Sequence, residues 1–180
     1  MIAPAAGIVV WLGASLAVVS DGRRGLAAGI ALTTVGLATL AFLTAGPIAS
    51  GAVALGGAVA AVRRYFSGPA GWGILPPGST PRLVLCVATA LIAFWVAAGV
   101  ASGPYASLRF GVIVGIVLSG ARVLSTSDQA VLLSAVAILA LNVAIAAAVG
   151  SSSPGVWPYF AGGFVAATVG WLPLRTAIAA

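Results

Sequence analysis

An all-α architecture, a polytopic transmembrane helical bundle of about seven spans, is what this sequence predicts, and three observations carry the prediction. First, 62% of the 180 residues are hydrophobic and only 6% are charged, whereas a water-facing surface needs about a quarter of its residues charged. Second, apolar stretches of about 18 residues or more recur along the chain, each long enough to cross a hydrocarbon core about 30 Å thick. Third, runs such as "AVLLSAVAILALNVAIAAAVG" lack the period-two alternation of a spanning β-barrel. Helices, which satisfy their own backbone hydrogen bonds in lipid, are the solution that remains.

The spans fall at roughly 3–20, 25–45, 48–66, 82–102, 105–124, 128–150 and 156–176. The first reads as a retained helix rather than a signal peptide, because no basic stretch precedes it and similar segments follow. The second and third are joined only by "TAGPIAS". Merged, they would form a helix about 60 Å long, twice a bilayer. Gly46 followed by Pro47 is instead a helix stop and a new helix start.

Arginine positions test this count, since cytoplasmic loops keep an excess of basic residues. With seven spans and the N-terminus outside, Arg23, Arg24, Arg63, Arg64, Arg82, Arg122 and Arg175 fall inside with the C-terminus, and Arg109 alone falls outside. Merging spans two and three would divide the same arginines far more evenly. Arg23, Arg24, Arg63, Arg64 and Arg82 therefore read as orientation signals that hold anionic lipid or a partner, at about 1 kcal/mol each. Asp21 is expected to pair with Arg23 and Arg24 or to cap the second helix. In "RVLSTSDQAVLL", Thr126 and Gln129 stand at capping-box spacing, with Ser127 and Asp128 as alternative caps of the sixth helix.

The two turns carry a candidate internal repeat. Residues 9–21, "VVWLGASLAVVSD", align with 116–128, "IVLSGARVLSTSD", at a shift of 107, which also brings Pro47 onto Pro154. The whole chain 1–180 is then a single integral membrane domain with halves 1–66 and 105–180 and a linking helix at 82–102, a parallel three-plus-one-plus-three plan known among transporters. In outline that plan is similar to SWEET-type sugar carriers. The Pro-Gln dipeptide associated with their relatives is absent, since Gln129 follows Asp128, so the similarity is one of architecture alone.

Small residues mark expected helix contacts. Ser107, Gly111, Gly115 and Ser119 form one stripe at four-residue spacing, Gly25, Gly29, Thr33 and Gly36 a second, and Ser50, Ala54, Gly57 and Ala61 a third. Arg109 lies about 200° around the helix from Gly111, pointing away from the first stripe, and reads as a snorkelling residue beside Tyr105 ahead of a substrate-binding one. Asn142, the most polar residue deep in a span, is expected to hydrogen-bond to another helix. With Arg109, Thr33 and Thr89 it forms the candidate ligand set. Trp157, Tyr159 and Trp171 suit interfacial aromatic belts. In the loop at 67–81, Trp72, Ile74 and Leu75 are expected to dip into the interface while the flanking arginines hold head groups.

Much chemistry is missing. There is no His, Glu or Lys, and Cys86 is the sole cysteine. Histidine-ligated haem, zinc sites, histidine-based nucleophilic catalysis and a retinal Schiff base are excluded. Both acids, Asp21 and Asp128, lie at helix ends, which leaves no buried acid for a proton path or an intramembrane aspartyl hydrolase. No phosphate-cradling loop follows a strand. The expectation is a protein that is not an enzyme and carries no cofactor, metal or nucleic acid. It partners the bilayer, other membrane subunits such as those of a respiratory complex, or copies of itself. The alternative is a small carrier or channel for a neutral or anionic solute. Basic residues that are all Arg, with abundant Ala, Gly and Val, suggest a GC-rich prokaryotic genome and hence a multi-pass protein of the prokaryotic inner (plasma) membrane.

Overall fold

A computed structural model describes residues 2–68, 70–99, 105–150 and 155–172. Arg175, Pro154 and the predicted end of the last span lie outside the described residues. Seven helices form among them: α1 (Ile2–Val19), α2 (Arg23–Ala45), α3 (Pro47–Phe66), α4 (Thr80–Gly99), α5 (Ala106–Ser125), α6 (Gln129–Gly150) and α7 (Trp157–Val169). No strand forms among the described residues beyond one isolated bridge between Ser20 and Ile74. Four helices, α1, α2, α5 and α6, are long and apolar enough to cross a membrane, as expected of an integral membrane protein. Glycines and the terminal Arg63 and Arg64 dilute the apolar character of α3, and α7 has 13 helical residues.

The break between α2 and α3 falls at Gly46, whose φ of +87° favours glycine and whose N–H donates to the Phe42 carbonyl at 3.1 Å. Pro47 then opens α3, where its missing N–H costs nothing. Two antiparallel hairpins, α1–α2 and α2–α3, form one layer, and α5–α6–α7 form a second layer against it. Contact between α1 and α2 is close because Gly13, Gly29 and Gly36 leave room for backbone: a Cβ on Gly29 would come within 2.8 Å of the Ala17 nitrogen.

Across the layers α1 packs on α5, α2 on α6 and α3 on α7. The outer pairs run parallel. Gly7 lies beside Ser107 at one end of α1–α5, and Ser20 beside Arg122 at the other. On α3–α7, Gly56 meets Gly163 and Arg63 meets Gly170. Among the described residues α1 makes no contact with α7, nor α3 with α5. The main core follows from this stacking, with Val10, Ile30, Leu37, Val53, Ile138, Leu141 and Ile145 buried within it.

Helix α4 lies on the flank, against α5 and α1. Its inward stripe, Cys86, Thr89 and Ala93, is buried, and the Trp11 indole donates to the Cys86 carbonyl at 3.2 Å. Its outer face exposes Leu91, Ile92, Phe94 and Trp95, a surface suited to lipid.

Candidate functional site: an arginine cluster at one end of the bundle

Every arginine whose contacts can be traced from α2, α3, α4 or the end of α5 lies at a single end of the bundle, and the turn between α1 and α2 organises them. Asp21 does not pair with Arg23 or Arg24, nor does it cap α2, whose N-cap is Gly22 without a side-chain bond. Instead its carboxylate accepts from Arg82 Nη1 at 3.1 and 3.2 Å and from Arg122 Nη2. Arg122 Nη2 also donates to the Ser20 carbonyl at 3.2 Å. One acid therefore ties the α1–α2 turn to α4 and to the end of α5. The sequence offered Arg23 and Arg24 as neighbours in the chain, but Asp21 lies in the turn before α2, and residues 61 and 101 positions away reach it instead.

The loop after α3 closes over this turn through its backbone. Asp21 N–H donates to the Gly73 carbonyl at 3.0 Å, Arg24 N–H to Gly71 at 3.1 Å, and Leu75 N–H to Val19 at 3.0 Å. The Gly71 carbonyl thus satisfies a first-turn donor of α2 that no side chain caps. Gly73 is left-handed, with φ of +52°, and a Cβ on Gly22 would lie 2.5 Å from the Gly71 oxygen. Only glycine at position 22 admits this approach. Trp72, Ile74 and Leu75 stay exposed around it.

Arg64, read from sequence as a surface anchor, is buried, with 3% of its surface exposed. Gly68 sits against it: a Cβ there would lie 3.5 Å from Arg64 Nη1, 3.5 Å from the Ala130 Cβ and 3.7 Å from the Arg23 Cβ. Arg122 is 2% exposed. Asp128, close enough to act electrostatically on both Arg64 and Arg122, caps α6, its Oδ1 accepting from Ala130 at 2.8 Å and Val131 at 3.1 Å. The cap is thus Asp128 rather than Thr126, whose Oγ1 accepts from Asp128 N–H at 3.2 Å. Arg63 takes the other course and stacks over Trp171 at 4.8 Å. Arg24 is exposed.

The candidate ligand set does not assemble in one place. Arg109 is exposed on α5 near Tyr105, away from the cluster; Thr89 faces inward on the flanking α4; Thr33 and Asn142 are fully buried. Among the described residues Asn142 makes no hydrogen bond to another helix. Its Nδ2 donates to Ile138 of its own helix at 2.9 Å, and its amide fills the notch left by Gly115, where a Cβ would lie 2.1 Å from Oδ1. Thr33 fills the notch at Gly13 in the same way. The stripes are largely spent inside the chain: Gly111 faces Val10 and Leu40, Ser119 bonds back to the Gly115 carbonyl, and Gly29 packs on α1. Gly25 departs from its stripe and meets Ser20 and the Trp72 carbonyl. Tyr159 is buried within the protein, whereas Trp157 is exposed. What sequence reasoning missed is the pairing of Arg122 and the burial of Arg64. The signal was a basic residue one turn inside a helix end, where snorkelling and burial look alike.

Unfilled space faces outward. Between α2 and α3 runs a groove of about 500 Å³ lined by Ala31, Thr34, Ala38, Ser50, Ala54 and Ala58, with Phe42 at one end. A second hollow continues from Ala31 toward Arg24, Tyr65 and Trp72.

Comparison with protein-family models, curated proteins and solved structures finds no match to this chain.

Proposed function

We propose that this chain is a non-catalytic integral membrane protein, a scaffold or accessory subunit that receives a helix of a partner membrane protein or of a second copy along the α2–α3 groove. The observation that carries the reading is where space is left. Asn142 and Thr33 occupy glycine notches within the bundle, while the groove on the outer face is open and lined mainly by small residues, Ala, Ser and Thr, with Val35 and Phe42 beside them. Small residues let a neighbouring backbone approach closely, which is how helices associate where the surrounding lipid is itself apolar. The basic end would lie in the cytoplasm of a prokaryotic cell, with the N-terminus outside.

The carrier reading has less support. A parallel repeat related by an axis along the membrane normal would set α1 against α7 and α3 against α5, but α1 lies on α5 and α3 on α7. Translation of one half beside the other describes these contacts better.

Purification in mild detergent tests the proposal. The wild-type chain is expected to run as a dimer or with a co-purifying membrane partner. Ala54→Trp, which fills the groove, should release the chain as a monomer with its thermal midpoint unchanged. A wild-type preparation that is a monodisperse monomer without a partner would refute the scaffold, and solute uptake into proteoliposomes abolished by Asn142→Leu would establish the carrier in its place.

A further inference from the structure

The chain holds two acids, and both are committed, Asp21 to Arg82 and Arg122 and Asp128 to the start of α6. Arg24 is exposed, and among the described residues its guanidinium enters no ion pair. It lines the hollow of about 510 Å³ that continues the α2–α3 groove, together with Ala28 and Ala31 of α2, Val62 and Tyr65 of α3, and Trp72. The loop after α3 fixes the backbone of Trp72 there. The Gly71 carbonyl accepts from Arg24 N–H at 3.1 Å, and the Trp72 carbonyl oxygen passes within 2.6 Å of where a Cβ on Gly25 would lie.

The lining changes character along the hollow. Arg24, Tyr65 and Trp72 gather where α2 begins and α3 finishes. From there to Ala31, about 10 Å deeper at about 1.5 Å per residue, the lining is Ala and Val. A cation and two amphipathic aromatic side chains above an apolar trough match a phospholipid, whose charge sits at the membrane surface and whose chains run inward. We infer that this hollow is a specific seat for one anionic phospholipid, its phosphate held by Arg24 between Tyr65 and Trp72 and the first methylenes of one chain lying on Ala28, Ala31 and Val62. The guanidinium fork suits phosphate oxygens, and the Tyr65 hydroxyl and Trp72 indole N–H are further donors. A zwitterionic head group answers its own phosphate with an ammonium and gains less from Arg24. A second copy of the chain does not fit the place, because neither of its acids is uncommitted. A partner helix would run on past the membrane surface, where the loop at Trp72 crosses the first turn of α2, whereas a lipid ends there. The lipid seat is independent of the scaffold reading, since the helix groove and this hollow share Ala31 alone.

Native mass spectrometry tests the seat on the full chain, delipidated in neutral detergent and titrated with phosphatidylglycerol or with phosphatidylcholine of the same acyl chains. The expected result is one saturable equivalent of phosphatidylglycerol, with phosphatidylcholine at least about tenfold weaker. Arg24→Gln should weaken phosphatidylglycerol by about tenfold, and Ala28→Trp, which fills the trough while leaving the charge in place, should do the same. If Ala28→Trp fails to fold, Ala28→Leu carries the comparison. Arg63→Gln removes an exposed arginine that stacks over Trp171 instead, and should change binding by less than about twofold. Ala54→Trp, which blocks the scaffold groove, should leave lipid binding as in the wild type, so that loss of a partner and loss of the lipid are read apart. Absence of saturable retention overturns the inference, as does equal retention of the two lipids, a loss in Arg63→Gln as large as in Arg24→Gln, or unchanged binding in the position 28 variant. A wild-type chain that keeps no phosphatidylglycerol but loses a co-purifying membrane protein on Arg24→Gln would give the hollow to an acid-bearing partner helix instead.

Discussion

Asn142 shows how a single side chain can mislead when it is read by polarity alone. An amide deep in a span needs a hydrogen-bond partner, and the interhelical option is the one polarity suggests. The partner is the Ile138 carbonyl one turn back, because Gly115 on α5 lets the amide sit flush against the facing backbone. Gly115→Ala should therefore destabilise the bundle by about 1 to 3 kcal/mol, since the new methyl would collide with a fully buried amide that is anchored through its Nδ2. In an Asn142→Ala background the same change should cost much less. Unfolding in mixed micelles would measure this double-mutant cycle, and equal costs in both backgrounds would show that the two positions do not touch. Arg64 teaches the complementary lesson. Its type and its place near a helix end were legible, but that its guanidinium folds under the loop rather than outward was not; the turn that lays the loop against it runs through Gly68, whose φ of +116° favours glycine.

Helix limits were largely readable because they rest on local chemistry. Gly46-Pro47 ends one helix and starts the next, as the sequence suggests, and Asp128 supplies a cap that was among the expected alternatives. The loop after α3 was less legible. Its Gly and Pro content predicts irregular chain, but not that three backbone hydrogen bonds would clamp it to the α1–α2 turn. Hydrogen exchange should accordingly find the amides of Asp21, Arg24 and Leu75 protected well beyond their loop neighbours. Gly22→Ala, whose methyl would collide with the Gly71 carbonyl, should release that protection while leaving the centres of α2 and α6 protected. Fast exchange at all three amides in the wild-type chain would mean that the clamp does not persist.

Stacked in two layers, the helices bring the arginines of α2, α3, α4 and the end of α5 together and leave Arg109 toward the start of α5. Cysteine labelling from either face of a membrane vesicle checks this arrangement. In a Cys86→Ala background, Arg24→Cys and Thr80→Cys should react from the same face, and Arg109→Cys from the opposite one. All three native residues are exposed, so reagent access will not confound the reading. Labelling of positions 24 and 80 from opposite faces would overturn the seven-helix threading.

By itself the sequence determined the solvent this chain is built for, the helical type and approximate limits of its spans, and the absence of the groups that most catalysis requires, because these depend on composition and on neighbours within a turn or two. Which arginine answers Asp21, which notch receives Asn142, and which half-helix faces which were decided only in the tertiary structure. Those choices join residues up to about a hundred positions apart through backbone approach at glycines, and the uniform Ala, Val, Leu and Gly alphabet of the spans does not encode such pairings one by one.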